Sequence, residues 1–235
     1  MSAVATARAR ERYRPPADAR VLQATDFLEE SSPALILKAP ACLYTAGNAQ
    51  LLHGTKRVAV VGSRKASAEG IRRARKLARG LAQAGVVVVS GLAAGIDTAA
   101  HEGAIAAGGR TIAVIGTPLD RVYPAENARL QEHIAEEHLL LSQFAPGARI
   151  SGRNFIARNR TVALLTHASV IVEAGDTSGS LSQAAETQRF GRPVFFMRSV
   201  LEHPELTWPA RFRAYEANPA RVLDRVEQVL ETLGL

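Results

Sequence analysis

The sequence predicts an α/β fold: a doubly wound, mainly parallel sheet flanked by helices, entered through an irregular N-terminal lead-in. Three observations carry that prediction. From Arg57 onward, short β-branched runs alternate with helix-length segments at a regular interval. The runs are apolar at consecutive positions, as in Val58-Ala59-Val60-Val61 and Val86-Val87-Val88-Val89, which is how strands buried on both faces read. Two of them end in glycine-bounded turns that open directly into helices, Gly62-Ser63-Arg64 and Gly91-Leu92-Ala93-Ala94-Gly95.

The elements follow in order. Residues 1–20 hold Arg8, Arg10, Arg12, Arg14 and Arg20 against Glu11 and Asp18 and read as a disordered basic arm, either a solvated tail or a phosphate screen. Residues 21–53, broken by Pro33, Pro40 and a Gly47-Asn48 turn signal, form a lead-in packed on the core. The core spans 54–200. Strands are expected at 57–62, 86–90, 111–115, 139–144, 168–173 and 193–197, with helices near 67–84, 95–107, 125–137, 153–166 and 178–190. Residues 201–235 make an irregular tail, proline-punctuated to 217, and a closing amphipathic helix at 219–233. Right-handed crossovers put every strand-to-helix loop on one edge of such a sheet, so distant residues converge there.

Composition narrows the function classes. The chain has 235 residues, 47% apolar, with a formal net charge of +7, enough for one sizeable core. The one cysteine, Cys42, excludes an internal disulfide framework and a cysteine-rich zinc site, and points to a reducing compartment. No apolar stretch reaches bilayer length and no signal core follows the N-terminal arginines, so the sequence reads as soluble, cytoplasmic and not membrane-bound. One Trp, four Tyr and seven Phe poorly supply a surface built on many stacked bases. No metal site and no cofactor is expected: neither glycine turn has the Gly-x-Gly-x-x-Gly spacing of a dinucleotide site.

The chemistry instead points to a phosphate-bearing ligand. Gly62, Gly91 and Gly95 would let backbone approach a ligand closely, and the helix after Gly95 would aim free N–H groups at an anion. Thr177, Ser178, Gly179 and Ser180 offer another anion nest at the start of the 178–190 helix, or simple capping by Ser178. Between Glu137 and Glu173 there is no carboxylate, while Arg149, Arg153, Arg158 and Arg160 lie there. Arg158 and Arg160 leave opposite sides of a helix; sharing a face with Asn154 favours Arg158 for the ligand and leaves Arg160 for a structural pair. Phe155 is either a stacking ring or a core anchor. The helix at 67–84 carries Arg72, Arg73, Arg75, Lys76 and Arg79 against Glu69, as a solvated face or as a phosphate track. Asp97 and His101, four apart at the start of a helix, offer an acid–base pair or two metal ligands, but no third ligand is apparent in the sequence and a first-turn aspartate caps its own helix.

Taken together, Val60-Val61-Gly62-Ser63-Arg64, Ser90-Gly91-Leu92-Ala93-Ala94-Gly95-Ile96-Asp97 with His101, Ala113-Val114-Ile115-Gly116 through Leu119-Asp120 to Tyr123-Pro124, Phe155 with Arg158-Asn159-Arg160, and Ser178-Gly179-Ser180-Leu181 resemble the DprA/Smf DNA-processing family, over about residues 40–197. The resemblance implies a Rossmann-like protein that binds single-stranded DNA without base specificity, helps load RecA recombinase in recombination and natural transformation, forms a homodimer and performs no catalysis. It places Arg64 on DNA phosphate and puts Arg153 and Phe155 along the DNA pocket. The chain departs from many members in having no room for an N-terminal helical domain or a C-terminal winged helix, and in reading Met197-Arg198-Ser199-Val200 where Pro-Gly is usual. The competing reading on the same scaffold is a nucleotide-binding sensor or a nucleoside monophosphate phosphoribohydrolase resembling LOG enzymes. Against the enzyme, the Pro-Gly-Gly-x-Gly-Thr loop is replaced by Ala174-Gly175-Asp176-Thr177-Ser178-Gly179, and Glu186 has no recognisable arginine partner in the sequence.

Overall fold

The computed structural model describes residues 16–28, 33–203 and 205–235. Nine strands form one sheet: β1 (Arg20–Gln23), β2 (Cys42–Gly47), β3 (Arg57–Val61), β4 (Val87–Ser90), β5 (Thr111–Ile115), β6 (Leu139–Ser142), β7 (Ala168–Ile171), β8 (Val194–Met197) and β9 (Arg221–Leu223). Their spatial order is β1-β2-β6-β5-β4-β3-β7-β8-β9. From β6 to β9 every neighbouring pair is parallel, while β1–β2 and β2–β6 are antiparallel. The main helices are α1 (Ala68–Gln83), α2 (Ile96–Ala106), α3 (Ala128–Glu137), α4 (Gly152–Leu165), α5 (Ser180–Arg189) and α6 (Glu227–Leu233).

The pleat sorts the strand residues into two layers. Val58 and Val60 of β3, Val88 of β4 and Val170 of β7 pack under α1 and α2, through Ala74, Leu77, Leu81, Ile96 and Ala100. Ala59, Val87, Val89, Ile112 and Val114 face the other way and meet Val162 and Leu165 of α4. Helix α1 buries Gly70, Ala74, Leu77, Ala78, Leu81 and Ala82, a stripe at helical spacing, and leaves its arginines outside. Ser67 caps it by accepting from the Gly70 amide at 2.9 Å.

The core expected over 54–200 has the predicted alternation, and the doubly wound α/β class is correct. The ends carry more structure than expected. Both β1 and β2 come from the lead-in, with Tyr44 opposite Ser142 in the antiparallel register. Of the basic arm, residues 1–15 lie outside the described residues, and Arg20 begins β1. In the tail, the expected helix at 219–233 is corrected to strand β9, paired with β8, followed by the shorter α6. The 201–217 stretch includes a helical turn, Pro209–Arg213, anchored by a ring cluster: Phe196 lies 4.7 Å from Trp208 and 5.2 Å from Phe212.

Strand order fixes where a ligand fits. Successive strands β3 to β6 step one way from β3, and β7 to β9 step the other way, so β3 and β7 flank the switch point. At such a point the loops leaving two neighbouring strands diverge and open a crevice beyond their carboxyl ends.

Candidate functional site

The crevice is present. A cavity of about 770 Å³ is lined by Gly62, Ser63, Arg64 and Lys65 after β3, by Asp97 of α2, by Phe155, Ile156, Arg158 and Asn159 of α4, by Gly175, Thr177, Ser178, Gly179 and Ser180 after β7, and by Tyr123. The two loops are bound to each other. The Ser63 amide donates to the Glu173 carbonyl at 2.7 Å, and Glu173 accepts from the Ser67 amide at 2.9 Å and from the Ser67 hydroxyl at 2.6 Å. That carboxylate is thereby turned to the α1 cap, and the groove keeps an excess of cations.

Arg64 is exposed and makes no ion pair among the described residues. Its guanidinium carbon stands 5.3 Å from the centre of the Phe155 ring, a cation–π arrangement that holds the charge over the groove. Phe155 in turn lies 5.3 Å from the Tyr123 ring at a 55° tilt. Tyr123 is 49% exposed and Ile156 62% exposed, so an apolar and aromatic shelf continues outward from the arginine. Across the groove, the Ser178 and Ser180 hydroxyls are 2.7 Å apart, and the Asn159 side-chain amide holds the Gly179 carbonyl at 3.0 Å. The amides of Thr177, Gly179 and Ser180 donate to no group among the described residues, which leaves the start of α5 open to an anion. Asp176 is held away from it by the Thr207 amide and hydroxyl, both at 3.1 Å.

The second glycine turn differs from expectation. The amides of Gly91 and Ala93 already donate to the Asp97 carboxylate, at 3.2 and 3.4 Å, and the Ile96 amide donates to the Ser63 carbonyl. The anion at the start of α2 is the chain's own Asp97. Gly91 and Gly95 are absent from the groove lining, and protein fills the space beside each. A Cβ on Gly91 would fall 1.1 Å from Nη1 of Arg158; one on Gly95, whose φ is +80°, would fall 2.4 Å from the Ser63 carbonyl oxygen.

Arg158 lines the groove as part of its floor. It is 5% exposed, donates to the Val114 carbonyl at 3.1 Å and lies 3.8 Å from Asp97. Burial lowers its pKa and raises that of Asp97, and in each case the opposite charge of the partner pulls back. Its Nε has no hydrogen-bond partner among the described residues. Arg153 is exposed on the first turn of α4, outside the lining residues. Arg160 lies 3.8 Å from Glu186, which Arg189 also holds at 2.7 Å. Two arginines thus correct the expectation that Glu186 lacks one. His101 is fully buried against Thr111 at 2.7 Å, as a core ring.

Tyr123, Lys65, Thr177, Asn159 and Ile156 also line the groove, beside the residues the sequence singles out for ligand binding. Tyr123 and Asn159 stood within the motifs that carry the resemblance, and Lys65 and Thr177 within the loops; Ile156 gave no signal, since an exposed isoleucine beside a ring reads as core in sequence. The basic face of α1 is largely paired: Glu69 holds Arg72 and Arg73, and Arg75 meets Glu102 at 2.5 Å. Among the described residues no three metal-ligating side chains cluster, and no helix is long and apolar enough to cross a membrane.

Fold and groove together define a doubly wound α/β protein with a cationic, ring-lined crevice at its switch point. The family model for DNA recombination-mediator protein A matches residues 26–234, and the chain belongs to that family. It is 48% identical over 160 residues to the DNA processing protein DprA of Streptococcus pneumoniae, covering 68% of this chain and 56% of the relative. It is 40% identical over 177 residues to the protein Smf of Synechocystis, covering 75% and 44%. The chain therefore spans about half the length of the curated relatives it matches. Among solved structures, DprA from Streptococcus pneumoniae superposes with a TM-score of 0.78 at 34% identity, covering 98% of this chain and 78% of that one. A Helicobacter pylori DNA processing protein A, described for its single-stranded DNA binding mode, gives 0.76 at 29% identity, covering 92% and 95%. Molybdenum cofactor binding proteins share the fold alone, at 20% identity and a TM-score of 0.55 for the one from Rippkaea orientalis.

Proposed function

We propose that this chain binds single-stranded DNA with little sequence preference in the crevice between the β3 and β7 loops. The observation that carries the proposal is the placement of Arg64 on the Phe155 ring, in the same crevice as the open amides at the start of α5. Phosphates bond to the guanidinium and the amides, while unstacked bases lie along the guanidinium plane and the Tyr123 ring. Base contacts of this kind tolerate any sequence, because every base has a π-face. The crevice is recessed between loops and presents no helix or ribbon shaped for a major groove, so duplex binds less well.

The Helicobacter pylori relative supports the ligand class. Action in recombination and natural transformation, loading of RecA onto the bound strand and formation of a homodimer are parts of the same proposal, supported by family membership. Co-sedimentation with RecA on a single strand and light scattering test them. A nucleotide hydrolase on this scaffold would need a free glutamate at the ligand, and Glu186 is bound by Arg160 and Arg189 outside the groove lining. The test of DNA binding is fluorescence anisotropy with single-stranded DNA, duplex DNA and free nucleotides over a salt series. Tighter, steeply salt-dependent binding of single strands is expected. Equal affinity for duplex, or a salt-independent interaction confined to nucleotides, would contradict the proposal.

A further inference from the structure

The inner end of the crevice holds polar groups that a strand lying along Arg64 and Tyr123 leaves unused. Gln183 of α5 lines the crevice at 1% exposure, and its Nε2 is buried with no hydrogen-bond partner among the described residues. Nε of Arg158, on the neighbouring α4, is in the same condition. Native folds rarely leave buried N–H groups unpaired, and two on one wall mark a place for an acceptor. The free amides of Thr177, Gly179 and Ser180 open onto the same crevice. So does the hydrogen-bonded pair of Ser178 and Ser180 hydroxyls, which keeps one proton to donate.

Charge and depth select what a donor-lined end of this kind accepts. The charged side chains of the lining are Arg64, Lys65 and Arg158 against a single carboxylate, Asp97, an excess that matches a dianion. Exposure falls from Ile156 and Tyr123, which are open to solvent, to Arg158 and Gln183, which are buried, so the crevice closes inward. An internal phosphodiester carries a single charge, and both of its ester bonds need a way out. A terminal phosphomonoester has one ester bond, approaches a charge of about −2 at neutral pH and presents three strong acceptor oxygens.

We infer that the crevice takes a single strand by its end, with a terminal phosphomonoester seated on the open amides at the start of α5 and on the Gln183 amide, while Arg64 holds an internal phosphate nearer the mouth. This seating presupposes single-strand binding in the crevice. Only the last side-chain torsion of Gln183 has to turn for its N–H to meet the phosphate, and that torsion is soft. The Arg158 guanidinium adds its charge from behind.

The experiment titrates the full chain, by anisotropy, with one internally labelled oligothymidine in three forms: 5′-phosphorylated, 3′-phosphorylated, and with hydroxyls at both ends. At least one phosphorylated form should bind about tenfold tighter than the hydroxyl form, the gain from one charge-assisted hydrogen bond; which form does so identifies the terminus that enters. Gln183→Leu, which removes the donor and keeps the bulk, should cut that preference by about fivefold or more. Gln183→Glu should reverse it. Arg64→Ala should weaken all three forms and keep the preference. Equal affinity for three bound forms would overturn the inference and leave single-strand binding standing, whereas failure of every form to bind would overturn both. A preference that survives Gln183→Leu and Gln183→Glu in folded protein, or that Arg64→Ala alone abolishes, would place the terminal phosphate at the mouth and would overturn the seating at the inner end.

Discussion

At the residue scale, the buried pair of Asp97 and Arg158 organises the floor of the crevice. Asp97 satisfies two amides of the second glycine turn and faces the guanidinium at 3.8 Å, and Arg158 fills the notch left by the missing side chain of Gly91. Removing one member of such a pair leaves the other charge buried without compensation. Asp97→Ala is therefore expected to lower stability by about 3–5 kcal/mol, read by urea denaturation; a loss under about 1 kcal/mol would show that Arg158 finds other partners. This is also the scale at which the sequence misleads most. Glycines beside a strand end announce a close approach, but they do not say whether ligand or protein approaches. At Gly91 it is Arg158 and at Gly95 the Ser63 carbonyl. Phe155, readable as stacking ring or core anchor, is a pedestal for Arg64.

At the element scale, the six central strands and the helices between them were legible because each strand is apolar on two faces and each helix carries a single apolar stripe. Three strands were not. β1 and β2 lie toward one edge of the sheet and β9 forms the other, and the four residues of β1 are mostly exposed, so they leave no apolar run to detect. Their existence is decided by the ladder partners β6 and β8, which local sequence does not show. The same contrast governs α1, whose arginines looked like a possible phosphate track. Glu69 and Glu102 hold three of them, as an ordinary solvated face. Arg75→Ala should accordingly change single-stranded DNA affinity by less than about 1 kcal/mol in anisotropy titrations. A larger loss would extend the DNA path along α1.

At the scale of the whole molecule, three histidines tie stability to pH. Burial is the main cause that lowers His101 to about 3 and His138 and His167 to about 4, from 6.5. For His101 the cause is visible. The Thr111 hydroxyl donates to the Val88 carbonyl at 2.7 Å, so it accepts from Nδ1–H of His101, and the unprotonated Nε2 is buried with no acceptor among the described residues for the N–H that protonation would create. Below pH 6.5 the unfolded chain takes up protons that the folded chain refuses. Stability is complete above that pH and falls as pH drops toward 4, with His101 alone contributing a slope of roughly 1.4 kcal/mol per pH unit within the window. Chemical denaturation at a series of pH values checks this; a flat profile between pH 6.5 and 4.5 would contradict it.

The placement of the crevice is also a property of the whole fold, since only the reversal of strand order at β3 and β7 brings residues 62–65 and 175–180 together. Arg64 lines the crevice with no ion pair among the described residues and is held over it by Phe155, so the salt dependence of its alanine variant tests DNA binding there most directly. Anisotropy titrations of the parent and Arg64→Ala with a single-stranded oligonucleotide should show affinity weakened by roughly 1.5–3 kcal/mol, with the log–log salt slope shallower by about 0.7, one phosphate contact. The melting temperature should be unchanged, because Arg64 makes no ion pair within the described fold. If Arg64→Ala folds normally and binds single strands with the parent's affinity and salt slope, DNA does not bind in the crevice between β3 and β7.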